Sequence, residues 1–154
     1  MKKLMVLGGI LMLMSMVFSL SAHAHCQIPC GIYGDEMRFV MIEEDIRTVE
    51  KSMKQIVALS REGEKNYNQI VRWVNNKDEH AVRIQEIVQQ YFMTQRLKPV
   101  GKEKTDAYRK YVEKLELLHQ LLFYAMKAKQ STDLTYVEKL RSALGGFRKA
   151  YFAR

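Results

Sequence analysis

DEMRFVMIEEDIRTVEKSMKQIVALS, residues 35–60, carries apolar side chains at Ile42, Ile46, Val49, Met53 and Ile56. Steps of four, three, four and three keep them on one face of a helix. Asp35 can cap the start, and Arg61-Glu62-Gly63 breaks the pattern. The stretch therefore predicts a long amphipathic helix, and such a helix is stable only when its apolar face is covered.

The rest of the chain repeats the pattern. A second helix is expected over about Glu64 to Arg96, with Tyr67, Ile70, Val74, Ala81, Ile84, Val88 and Tyr91 on one side. Its stripe is interrupted by NNKDEH at 75–80, which marks either a kink or a buried polar contact. LKPVGKEK at 97–104 reads as a turn, through Pro99 and Gly101. A third helix, about Thr105 to Lys129, aligns Tyr108, Val112, Leu115, Leu118, Leu122 and Ala125. After QSTD at 130–133, Thr135 and Glu138 have the spacing of a capping box. The last helix runs to about Tyr151 through Leu140, Leu144 and Phe147, with Gly145-Gly146 as its weak point. No segment alternates with period two. Four amphipathic helices with short connections predict an all-α fold, a four-helix bundle over residues 35–154.

Few side chains in those helices suggest chemistry. The chain has no G-x-G-x-x-G, P-loop, G-x-S-x-G or H-E-x-x-H pattern. His119 lies beside the third stripe and reads as a core or interface histidine. Tyr67, Tyr91, Tyr108, Tyr111 and Tyr151 read as core or subunit contacts, and Met37, Met41, Met53, Met93 and Met126 as core filling. The formal charge is +8, with both signs interspersed along the helices. That is a solvated surface with at most a weak pull on small anions, and nothing in it points to nucleic acid.

The N-terminal segment is different. Residues 1–24 read as a cleavable secretory signal: Lys2 and Lys3, an apolar run from Leu4 to Leu20, then Ala22-His23-Ala24 as a small-residue cleavage site. The run is short for a membrane span. Cleavage after Ala24 by signal peptidase, or by a peptidase dedicated to this site, leaves residues 25–154 and a charge of +6. The expected location is periplasmic or extracellular, with no membrane attachment after the leader is removed. The only two cysteines, Cys26 and Cys30, lie just past the cut. A Cys26–Cys30 disulfide would close a very small loop and stabilise little.

Cleavage would instead make His25 the first residue. Its α-amine and imidazole, the Cys26 amide nitrogen and thiol, and the Cys30 thiol are then close in sequence, with Pro29 and Gly31 favouring a tight turn. Two nitrogens and two sulfurs in a plane suit Ni(II) or Cu(II) better than tetrahedral zinc. The α-amine titrates near roughly 7.7–8.0 and a cysteine near about 8.5, so metal binding must displace protons and weaken in acid.

HCQIPCGIY at 25–33 resembles the nickel hook of the nickel-containing superoxide dismutases, H-C-x-x-P-C-G-x-Y, at His25, Cys26, Pro29, Cys30, Gly31 and Tyr33. It departs from the best-known hooks at Gln27-Ile28 and Gly34-Asp35, where no ligand side chain is supplied. The resemblance implies residues 25–34 as a hook before a four-helix bundle, one nickel per chain and a homohexamer. It implies an oxidoreductase that converts superoxide to O2 and H2O2 by cycling Ni(II)/Ni(III). It also implies the ligands: the His25 amine, the Cys26 amide and the Cys26 and Cys30 thiolates in the plane, with the His25 imidazole axial. Tyr33 would stand over the open face. The family steadies the imidazole with an acid on the first helix and an arginine on the second; Glu43 or Glu44 is a candidate for the acid and His80 for the arginine's place. The rival reading is an exported helical protein that binds nickel or copper without turnover.

Overall fold

The computed structural model describes residues 34–153. Among them the chain forms four long helices and no strand. Helix α1 is Asp35–Ser60. It ends where Gly63, at φ +71°, takes a left-handed conformation that glycine adopts without strain. A 3-10 turn, Gly63–Asn66, leads into α2, Tyr67–Glu86, which continues as a π-helical segment, Ile87–Arg96. Helices α3, Thr105–Gln130, and α4, Thr135–Phe152, complete the bundle.

Side-chain ties fix the direction of each helix. Asp35, Asp45 and Ser52 of α1 bond to Tyr91, His80 and Asn76 in reverse order. Glu36 and Glu50 pair with Arg148 and Arg141 of α4, also in reverse. Gln85 reaches the Leu122 carbonyl of α3, and Lys77 the carbonyls near its end. Neighbouring helices are thus antiparallel, as short connections require.

The core follows the expected stripes. Ile42, Ile46, Val49 and Met53 of α1 pack with Ala81, Ile84, Val88 and Tyr91, and with Leu118, Ala125, Leu140, Leu144 and Phe147. Three readings need correction. Among the described residues Met53 is the only methionine in the core, whereas Met37, Met41 and Met93 are exposed. Tyr67 and Val112, near the starts of their stripes, are exposed. The third stripe is turned, so that Leu121 and Ala128 are buried and Leu122 is only partly so.

Helix α4 runs unbroken through Gly145-Gly146. A Cβ on Gly146 would lie 3.0 Å from Leu117 Cδ2, so the missing side chain lets α4 approach α3. The capping box does not form. Leu134 is the N-cap residue, and the Thr135 amide donates to Asp133 Oδ1 at 2.9 Å. NNKDEH proves to be polar contact within continuous helix: Asn76 donates to Ser52 Oγ at 2.9 Å, and Lys77 and His80 are both tied inward.

Candidate metal centre

His25, Cys26, Cys30 and Tyr33 lie outside the described residues, as does the leader. The bundle shows where the segment carrying them is attached. Gly34 is the N-cap of α1, extended at φ −62° and ψ 138°, and no side chain caps the helix. Asp35, expected as the cap, is the first helical residue and turns its carboxylate into the bundle. Oδ1 accepts from Tyr91 Oη at 2.5 Å and pairs with Arg96, whose Nε lies 2.8 Å away, and Oδ2 accepts from Tyr151 Oη at 3.0 Å. Arg96 also donates to Tyr91 Oη at 2.8 Å, and the guanidinium carbons of Arg38 and Arg96 lie 5.0 and 4.9 Å from the Tyr91 ring centre.

The π-helix makes that cluster possible. In an α-helix, a residue five positions on lies roughly 140° around the axis. The i→i+5 bonding of a π-helix brings such residues nearly onto one face, and Arg96 lies five residues past Tyr91. The Leu97 amide closes the segment on the Phe92 carbonyl at 2.8 Å. Beneath the cluster, Phe39, Phe92, Phe147 and Tyr151 stack with ring centres from 4.9 Å (Phe92–Phe147) to 5.7 Å (Phe39–Tyr151) apart. Desolvation alone would raise the Asp35 carboxyl. The hydroxyls of Tyr91 and Tyr151 and the charge of Arg96 outweigh it and hold the group below the usual carboxylate range. Burial, with the Asp35 charge nearby, pushes the Tyr151 phenol well up.

Farther along α1, Asp45 and His80 form the second polar pair. His80 Nδ1 lies 2.6 Å from Asp45 Oδ1, and both side chains are largely buried, 16% and 8% exposed. Burial pushes the Asp45 carboxyl up more than the hydrogen bond and charge of His80 pull it down. Glu43 and Glu44 are exposed, so His80's acidic partner in this structure is Asp45. The sequence did carry a signal for it: Asp45 falls three residues after Ile42 and four before Val49, on the apolar face. Lys77, four residues before Ala81, carries the same signal on α2. Nothing comparable pointed to Arg96, whose placement depends on the π-helix.

His119 is exposed, which removes it from the core. Glu116 stands three residues before it, the spacing of half a di-metal site in a bundle. Among the described residues, however, no three His, Cys, Asp or Glu side chains converge to hold a metal. Nor is any described helix long and apolar enough to cross a membrane.

Comparison with curated proteins and with solved structures returned no match. A family model did match, that of nickel-containing superoxide dismutase, over residues 20–154. The match takes in residues 25–33 and all four helices, and with it the chain belongs to the nickel-containing superoxide dismutase family.

Proposed function

We propose that the nickel of this superoxide dismutase is bound at a processed N-terminus, by the His25 amine and imidazole, the Cys26 amide and thiolate and the Cys30 thiolate. One observation carries the reading: six hook positions stand in register directly after a predicted cleavage point, in a chain of this family. The chemistry of the donors fits the metal. Two thiolates and an anionic amide nitrogen donate strongly enough to make nickel oxidisable, and soft sulfur with nitrogen suits it.

Bound there, nickel supplies a one-electron Ni(II)/Ni(III) couple: one superoxide gives up its electron and leaves as O2, and a second takes an electron and two protons and leaves as H2O2. The chain's own part is to hold, to orient and to exclude. Cys26 and Cys30 bind only as thiolates, so metal uptake releases protons. Tyr33 offers a hydroxyl donor to a small anion and narrows access to it. His80, oriented through Nδ1 by Asp45, keeps Nε2 for a further partner, and we assign that nitrogen to steadying the His25 imidazole. Export and cleavage after Ala24 place the protein in the periplasm or outside the cell. The exposed side chains of Met37, Val40, Val71 and Phe123 support burial against further copies in a homohexamer.

Metal analysis and superoxide consumption of the purified protein test this reading. About one nickel per chain is expected, and Cys26→Ser or Cys30→Ser should abolish both nickel and turnover. Retained nickel and activity in either variant would refute it.

A further inference from the structure

We propose that Asp35 is a positioning residue for the metal centre, locking the point at which the hook leaves the bundle. The inference rests on the hook reading above, and its geometry stands on described residues alone. The first turn of a helix leaves its amide donors unsatisfied and tends to fray unless capped. Here Gly34 provides no side-chain cap, and the residue that could have capped is used otherwise. The Asp35 carboxylate accepts from Tyr91 and pairs with the Arg96 charge on the π-segment, and it accepts from Tyr151 on α4. Ties from two separate helices fix a point in space, which one tie alone would not do.

Distance gives the lock its consequence. Tyr33 precedes Asp35 by two positions in the chain, and two residues of chain reach at most roughly 7 Å. Asp35 is the first described residue whose side chain is anchored, and every hook residue is reached through it. Positioning at about 1 Å can decide a hundredfold in rate. A guard tyrosine and a thiolate ligand on a terminal segment therefore need a fixed base. The neighbouring Glu36 provides an internal contrast: it also ties the start of α1 to α4, through Arg148, but by an exposed ion pair to one helix alone.

The test compares Asp35→Asn, Tyr151→Phe and Glu36→Gln in the full processed chain. In metal-free protein, amide exchange over residues 34–38 should accelerate at least tenfold in Asp35→Asn and stay within twofold of wild type in Glu36→Gln. In nickel-loaded protein, Asp35→Asn should keep its nickel, change the Ni(III) paramagnetic resonance spectrum and lose at least tenfold in rate per nickel. Tyr151→Phe should move the same readouts in the same direction, by about threefold in rate, and it decides the matter alone if Asp35→Asn fails to fold. A merely structural role would lower the melting temperature and leave the spectrum and the rate per nickel unchanged, and that result would overturn the proposal. If wild type binds no nickel, the hook reading fails, whereas the metal-free exchange still decides whether Asp35 is a lock.

Discussion

Lys77→Met isolates one buried cation and the helix end it supports. The Lys77 side chain is 4% exposed, and its ammonium donates to the carbonyls of Ala128 at 2.8 Å and Lys129 at 2.5 Å, with Ser131 more distant at 3.4 Å. Those carbonyls belong to the end of α3, where the chain leaves the helix through Ser131 in extended conformation. No glycine cap follows, so the last carbonyls need another donor, and α2 provides it. Asp78 Oδ1 at 3.2 Å balances part of the charge. Methionine keeps the length and most of the packing of the stem while removing every donor. Two short bonds from a charged donor are worth about 1.5–3 kcal/mol each. Removing the desolvation cost of the ammonium returns part of that, which leaves a net loss of about 2–4 kcal/mol. For a chain of this size the melting temperature should fall by roughly 10 °C. Urea unfolding followed by circular dichroism measures it, at one fixed chain concentration because assembly makes stability concentration-dependent. The exposed Lys54→Met is the control, expected to cost at most about 0.5 kcal/mol. If Lys77→Met proves as stable as that control, the cap is not what holds the α3–α4 connection, and the reasoning fails.

Inserting one alanine before His25 should abolish nickel-dependent turnover and leave helix content and unfolding unchanged, because only a freed His25 amine belongs to the ligand set; full activity would contradict that set. Acid should weaken the fold in a definite window. The carboxyls of Asp35 and Glu50 are both held below their ordinary values, the latter by Lys54 and Arg141. The folded state then binds fewer protons than the unfolded one, so stability is lost as pH falls below about 4, the unfolded carboxylate range. The raised Asp45 carboxyl opposes this, contributing stability that disappears as pH rises through its folded value. Asp133, held down by its hydrogen bonds with Thr135, joins the lowered group, and three lowered carboxyls against one raised predict a net fall in the urea midpoint between pH 5 and pH 3, smaller in Asp35→Asn. An unchanged wild-type midpoint would contradict it.

Much of this protein was legible before any coordinates. The period of apolar residues located α1, the end of the π-segment that continues α2 and the end of α3 to within one or two positions, because burying one face dominates a bundle and leaves a periodic trace. The six positions at which residues 25–33 resemble the family's hook were legible for another reason: a motif in a short segment is encoded by residue type and spacing, with little need of the fold. Where local rules competed with distant partners, the sequence misled. Thr135 and Glu138 had capping-box spacing, yet Asp133 satisfies the Thr135 amide. Methionine content suggested core filling, but three of those side chains face outward, since composition carries no direction.

By itself, then, the sequence determined four amphipathic helices and their turns, and it carries the motif on which the proposed ligand set rests, all properties of neighbours along the chain. Tertiary structure alone decided that Asp35 faces Tyr91, Arg96 and Tyr151 instead of capping its helix. It also paired Asp45 with His80, and placed Lys77 on the end of α3. The physical reason is common to all three. A polar side chain turned into a bundle is stable only if its partner is there to meet it, and each partner stands between 35 and 116 positions away, on another helix.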